Sequence, residues 1–231
     1  SLELQNVSNS DDSQYMVEAL STESDTVNVH HAGTAMRFLT AYFATIEGKT
    51  TLLTGSQRMK ERPIKILVDA LIELGADIEY TDQLGYPPLK IIGKRLLKEE
   101  VRMKANVSSQ YISALLLIGS KLEKGLKLYL DGKITSIPYI KMTLSLLEQV
   151  GVETSFEAQT IHVKPSLNNE PKIFSVESDW SSASYFYSII ALSPIGTKVC
   201  LSTYKKNSLQ GDAVLEEIYK QMGVETIFNE S

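Results

Sequence analysis

The sequence predicts an α/β fold (α+β in arrangement) built from repeated β-α-β-α-β-β units, on three observations. First helices open near Gly33, Ser108 and Trp180, 75 and 72 residues apart. Second helices open near Arg62, Ile137 and Gly211, 75 and 74 residues apart. Each second helix stops at a glycine (Gly75, Gly151, Gly223), and an alternating stretch follows directly. One order of signals recurring at a fixed interval marks a repeated folding unit.

Taken in order, the chain opens with a strand at Leu2 and a helix over Asp11–Leu20. A strand over Thr26–Val29 then leads into the first helix at Gly33. The second helices carry apolar stripes at helical spacing: Ile64, Leu67, Val68 and Leu71; Ile140, Leu144 and Leu147; Val214, Ile218 and Met222. Each stripe is expected to face a core. The glycines ending these helices suit the left-handed backbone of a helix stop. Strands are expected over Asp77–Tyr80, Val152–Phe156 and Val224–Phe228, and another over Lys198–Leu201. In the first two units a turn and a further strand close a hairpin, Leu89–Ile92 after Pro87-Pro88 and Thr160–Val163 after Glu157-Ala158-Gln159. Helices are expected on one face of each sheet.

The third unit reaches Ser231 where its last strand is due, and the opening strand and helix read as the tail of an earlier unit. The chain is therefore expected to be cut within a unit at both ends, with atypical capping repeats as the alternative. Asn168-Asn169-Glu170-Pro171 is the candidate linker. The expected division is 1–175, a substrate-binding domain whose first unit is incomplete, and 176–231, the start of a second domain.

With 231 residues and 43% hydrophobic content the chain can bury a substantial core. A net charge of -5 disfavours broad attraction to nucleic acid or anionic membrane, so an anionic ligand has to be held locally. One cysteine, Cys200, excludes an internal disulfide framework and a multi-cysteine zinc site. It falls in the Lys198–Leu201 strand and reads as a small buried apolar residue rather than a nucleophile. No stretch approaches about 18 consecutive apolar residues, and Ser1–Ser10 is polar, so a cytoplasmic location is expected. His30 and His31, adjacent on a strand, would face opposite sides, and His162 is isolated; no metal is expected.

Four constellations sit at helix entrances. Ala32-Gly33-Thr34-Ala35-Met36-Arg37 combines a glycine, a hydroxyl and a helix start, which suits an anion or simply a capped helix with a packing glycine. In Gly55-Ser56-Gln57-Arg58-Met59-Lys60-Glu61-Arg62-Pro63, Arg58 and Lys60 oppose the helix dipole, a conflict that an external anion or plain solvation resolves. Val107-Ser108-Ser109-Gln110-Tyr111 and Ser136-Ile137-Pro138-Tyr139 offer hydroxyls at corresponding places, as phosphate contacts or as helix caps. Related units put these entrances at related ends, so several weak anion sites can meet in one cleft.

At these residues the chain resembles the enolpyruvyl transferase family, specifically its phosphoshikimate branch. The match runs in order through Asn9-Ser10-Asp11-Asp12, Ala32–Arg37, Arg58-Met59-Lys60-Glu61-Arg62-Pro63-Ile64, Ser108-Ser109-Gln110, Ser136–Tyr139, Asp179–Tyr185 and Gln210-Gly211-Asp212. The resemblance implies two domains of three units each, forming an inside-out α/β barrel. It implies transfer of the enolpyruvyl group of phosphoenolpyruvate to the 5-hydroxyl of shikimate 3-phosphate, with release of phosphate and without a cofactor, by a monomer. Ser108, Ser109, Ser136 and Tyr139 would contact shikimate 3-phosphate, with Gln110 between the substrates. Gly33 and Arg58 would contact phosphoenolpyruvate, supported by Arg37. The principal acid and base residues of the family fall in segments with no match here, so the chain alone is expected to be inactive.

This sequence departs from the family pattern at His31, where Asn is usual, at Phe38, where Pro is usual, and at Trp180, where Ala is usual. Two rival readings are weaker. The sister enzyme acting on UDP-N-acetylglucosamine carries a reactive loop cysteine, unlike a strand cysteine at Cys200. A non-catalytic scaffold such as a sliding clamp would need a basic concave face, against the net charge of -5.

Overall fold

The strand and helix signals resolve into three sheets in a computed structural model, which describes residues 2–166 and 172–229. The elements run β1 (Leu2–Gln5), α1 (Asp11–Ser21), β2 (Thr26–Asn28), α2 (Gly33–Ala44), β3 (Thr50–Thr54), α3 (Gln57–Lys60), α4 (Lys65–Leu74), β4 (Asp77–Tyr80) and β5 (Leu89–Ile92). They continue with β6 (Glu100–Lys104), α5 (Ser109–Gly119), β7 (Leu126–Asp131), α6 (Ile137–Gln149), β8 (Thr154–Glu157), β9 (Thr160–Val163), β10 (Lys172–Ser175), α7 (Trp180–Ala191), a 3-10 turn (Gly211–Val214) and α8 (Leu215–Lys220). Two compact units form, one of Ser8–Asn169 and one joining Ser1–Val7 to Glu170–Ser231.

Within Ser8–Asn169 the repeat is explicit. One sheet has the order β2-β3-β5-β4 and the other β6-β7-β9-β8. In each, the first pair is parallel and the next two pairs are antiparallel. Parallel neighbours cannot be joined by a tight turn, so a helix has to cross between them. That crossing is α2 in the first repeat and α5 in the second.

Alternation along the strands buries one face: Leu89 and Ile91 on β5, and Leu126, Leu128 and Leu130 on β7, are buried. α2 is buried nearly all round, and it packs on α5, α1 and the strands of its own sheet. Burial of Met36, Leu39 and Phe43 contributes about 1.5–3 kcal/mol each. The stripes on α4 (with Ile64 at its entrance) and α6 are buried as expected. All three terminating glycines, Gly75, Gly151 and Gly223, have positive φ.

The unit containing β10 is smaller. β1 pairs in parallel with β10, from Leu2 opposite Lys172 to Gln5 opposite Ser175. α7 is capped by Asp179, whose carboxylate accepts from Ser181 N at 2.9 Å and Ser182 N at 3.2 Å. Its core is Trp180, Ala183 and Tyr187, with Tyr204, Tyr219 and Phe228 against them. Trp180 fills this core, and its indole N–H donates to Glu177 at 3.0 Å.

Several expectations change. β1 and β10 share a unit with 176–229, whereas the 1–175 and 176–231 division put both with the repeats; their mutual pairing is the reason. The linker Asn168-Asn169-Glu170-Pro171 lies outside the described residues. Lys198–Leu201 and Val224–Phe228 are not strands, because neither has a ladder partner among the described residues. Without that sheet the third stripe has nothing to pack on, and Val214, Ile218 and Met222 are exposed. Cys200 is likewise exposed rather than buried. His30 and His31 lie in a turn beyond β2 instead of alternating along it. Asn28 Oδ1 accepts from His30 N at 2.9 Å and His30 takes φ 47°, so both rings reach Tyr15, at centroid distances of 4.6 and 6.0 Å.

Candidate functional site

The parallel strand pairs decide where the helix entrances lie. Asn28 is paired with Thr54 at the carboxyl ends of β2 and β3, so the chain leaves both strands on the same edge of the sheet. It enters α2 from one and α3 from the other. Lys104 and Asp131 are paired likewise at the ends of β6 and β7, from which the chain enters α5 and α6. The carboxyl edge of parallel strands is where α/β folds gather ligands.

In the first repeat the two exits are tied together. Ser56 N donates to His30 O at 2.8 Å, and a Cβ on Gly55 would come within 2.7 Å of that same oxygen. Gly55 is thus required by the close approach of two backbones. α3 is a single turn capped by Ser56 Oγ, which accepts from Met59 N at 3.3 Å. Pro63, lacking an N–H, interrupts the path to α4, which begins at Lys65 rather than Arg62.

Arg37 is 4% exposed and reaches back under the entrance of its own helix. Its Nη1 donates to Gly33 O at 3.0 Å and lies 3.7 Å from Met59 Sδ, and its Nη2 donates to Pro63 O at 3.5 Å. Tyr111 of α5 donates to the same Pro63 carbonyl at 2.6 Å. Burial, and then the neighbouring Arg62 guanidinium, push the Arg37 pKa down from its ordinary value, against an opposing contribution from Tyr111. Arg37 Nε is buried with no hydrogen-bond partner. The first turn of α2 has no side-chain cap.

A direct bond joins the two repeats at this edge: Gln110 Nε2 donates to Thr34 Oγ1 at 3.0 Å. It links the first turn of α5 to the first turn of α2. Ser108 caps α5, accepting from Gln110 N at 3.4 Å. α6 is pinned to α5 through Ser113 Oγ and Thr143 Oγ1, 2.8 Å apart, with Thr143 Oγ1 also donating to Tyr139 O at 2.9 Å.

The expected site residues therefore all lie in the Ser8–Asn169 unit. Gly33, Arg37, Gln110 and Ser108 are connected by the bonds above, through Thr34 and the strand exits. Ser109 and Ser136 are half-buried at helix starts, and Tyr139 is exposed; their side chains make no hydrogen bond among the described residues. Arg58 is exposed on α3, and among the described residues its side chain makes no hydrogen bond to the others. Three residues of the same motifs to which no substrate contact was assigned also take part: Arg62, whose guanidinium lies against Gly33, together with Thr34 and Tyr111. Among the described residues Arg58, Lys60 and Arg62 have no ion-pair partner. The edge thus offers unpaired cations and uncapped N–H groups from one repeat, and hydroxyl and amide groups from the other. That set suits a multiply charged anion that also carries hydroxyls. The described residues include no cluster of His, Cys, Asp and Glu able to hold a metal ion, and no helix long and apolar enough to cross a membrane.

The profile of EPSP synthase (3-phosphoshikimate 1-carboxyvinyltransferase) matches residues 2–231. A 3-phosphoshikimate 1-carboxyvinyltransferase of Bacteroides fragilis (strain YCH46) is 48% identical over 229 residues, covering 99% of this chain and 55% of the relative. One of Mannheimia succiniciproducens is 40% identical over 206 residues, covering 87% and 47%. The solved EPSP synthase from Acinetobacter baumannii shares the fold at a TM-score of 0.77 and 20% identity, over 95% of this chain and 53% of that one. The chain spans about half the length of the curated relatives it matches. An alignment over almost every residue, with this repeat and this edge, places the chain in the EPSP synthase (3-phosphoshikimate 1-carboxyvinyltransferase) family.

Proposed function

We propose that this chain supplies the substrate-holding half of an enolpyruvyl transfer from phosphoenolpyruvate to the 5-hydroxyl of shikimate 3-phosphate, in the cytoplasm and as part of a monomeric enzyme. The observation that carries this reading is the Gln110–Thr34 bond, which brings the cationic entrance of one repeat against the hydroxyl-lined entrance of the next. Ser108, Ser109, Ser136 and Tyr139 hold shikimate 3-phosphate, Gly33 and Arg58 hold phosphoenolpyruvate with Arg37 behind them, and Gln110 spans the two. Within the run up to about residue 175, the Ser8–Asn169 repeats are the substrate-binding domain, and the unit that joins Ser1–Val7 to Glu170–Ser231 opens a second one.

In the reaction the 5-hydroxyl oxygen bonds to C2 of phosphoenolpyruvate while C3 takes a proton and the hydroxyl loses one. The tetrahedral intermediate then loses the C3 proton and expels phosphate, restoring the double bond. Cations fixed at the phosphate stabilise the charge that gathers on the departing group. An uncapped helix start adds N–H donors to the same end. The acid and base that move the protons are assigned to the portion of the relatives that this chain does not span.

Calorimetric titration with shikimate 3-phosphate tests the reading. Binding should weaken roughly tenfold in Ser136→Ala and in Ser108→Ala, the loss of one hydrogen bond to a charged group each. Unchanged affinities would remove both serines from the site. Phosphate release by the 231-residue chain alone would refute the assignment of acid and base elsewhere.

A further inference from the structure

We infer that Tyr111 is a positioning residue for the phosphoenolpyruvate end: its hydroxyl, reaching over from the second repeat, fixes the Pro63 carbonyl and with it the loop from Arg58 to Pro63 against the turn that carries Ser108 and Gln110. The inference rests on the function proposed above and adds to it a residue that acts through the loop rather than on a ligand.

Two adjacent residues of α5 reach two different pieces of the first repeat. Gln110 Nε2 donates to Thr34 Oγ1 in the first turn of α2 at 3.0 Å, and Tyr111 Oη donates to Pro63 O, ahead of α4, at 2.6 Å. Successive residues on a helix point about 100° apart, so a single turn can clasp both pieces. Pro63 lies in neither α3 nor α4, and no backbone N–H among the described residues takes its carbonyl. Its other donor is Arg37 Nη2 at 3.5 Å, longer than an ordinary N–H···O bond. Without the Tyr111 hydroxyl the carbonyl keeps only that long contact.

Packing alone does not ask for a hydroxyl at this place. Met36 holds the corresponding position on α2, 75 residues earlier, and is fully buried. Tyr111 is 7% exposed, and a hydroxyl so buried is costly unless it is paired. A phenylalanine would fill the same volume without that demand. What the hydroxyl adds is a fixed point on the loop. Arg62 N donates to Met59 O at 3.1 Å and Ile64 N to Gly85 O at 2.9 Å, so the peptides flanking Pro63 are held from within the first repeat. Tyr111 supplies the hold from the second. Binding groups have to stand within about 0.5 Å of their productive places, and the proposed function puts cations on this loop and Gln110 between the substrates. A bond from the neighbour of Gln110 to the loop therefore ties the geometry of one end to the other.

The test is Tyr111→Phe, read first by hydrogen exchange without ligand and then by calorimetry. Exchange of the Arg62 and Ile64 amides should quicken about tenfold, the equivalent of one lost hydrogen bond, with that of Leu115 and Leu116 in α5 unchanged. In the presence of shikimate 3-phosphate, phosphoenolpyruvate should bind roughly five- to tenfold more weakly, while affinity for shikimate 3-phosphate alone stays at the wild-type value. Wild-type exchange at both loop amides would mean that the hydroxyl fixes nothing. Faster exchange with wild-type phosphoenolpyruvate affinity would mean that the bond serves packing alone, and equal weakening of both substrates would mean a general defect. Each of these three results overturns the inference and leaves the function standing. If the unmodified chain binds neither substrate, the proposed function fails and the inference with it.

Discussion

The two repeats of the Ser8–Asn169 unit share one sheet order and differ in what they place at the same sheet edge. The first contributes Arg37, Arg58, Lys60 and Arg62 around a helix start without a side-chain cap. The second contributes Ser108, Ser109, Gln110, Ser136 and Tyr139, with α5 capped by its own serine. Buried positions recur because two helices have to cover the same pleated face, and this constrains size and polarity. The strand exits contribute little to that core, so duplicated units are free to diverge there, one toward charge and the other toward hydroxyls. On the function proposed above, that division of labour suits a substrate pair in which one member is dominated by anionic groups and the other carries hydroxyls as well.

The comparison is sharpest where the repeats differ in packing. Gly93 follows β5, and a Cβ there would lie 2.0 Å from the Ile46 carbonyl oxygen and 2.7 Å from that of Phe43. Gly93→Ala should cost roughly 3 kcal/mol in denaturant unfolding, at the upper end for overpacking. Lys164, in the same place after β9, has a side chain 68% exposed, and Lys164→Ala should stay within about 0.5 kcal/mol. Equal costs would mean that the two hairpin exits are packed alike.

A smaller contrast concerns buried threonines. Thr143 bonds Ser113 across two helices, whereas Thr40 Oγ1 donates only to Met36 O in its own helix, at 2.7 Å. Thr143→Val should cost about 1–3 kcal/mol because Ser113 loses its partner, and Thr40→Val should be near neutral by the same unfolding measurement.

The smallest effect is alkaline. The Tyr80 hydroxyl is buried without a partner, and burial, then Asp69, raise its pKa to about 12. The folded state keeps this proton where the unfolded chain sheds it, so its contribution is complete below about pH 10 and is lost as pH rises toward 12. Tyr80→Phe should flatten the stability profile over that window. Glu157, the counterpart on β8, is exposed and should leave the window unchanged when replaced by Gln.

Much of this was legible in the sequence. Apolar spacing and terminal glycines located α4 and α6, and alternation located β4, β5 and β9, because these signals follow from local geometry and one-sided burial. The Lys198–Leu201 and Val224–Phe228 stretches misled, since alternation reports a face to bury and not a partner to pair with. The exposure of Cys200 follows from the same cause. At the site, the motif residues were found at helix entrances, but the seat of Arg62 on Gly33 was not legible. Twenty-nine residues separate them, and only the parallel pairing of β2 with β3 brings their two loops together.

The pairing of β1 with β10 carries one more implication. Asn6 donates to Val176 O at 2.7 Å across 170 residues of chain, so the smaller unit is written in two distant pieces around the larger one. During synthesis the opening strand has to wait, unpaired, until the ribosome has delivered residues 172–175, by which time both repeats are already available to fold. The two repeats are thus free to mature before β1 finds its partner.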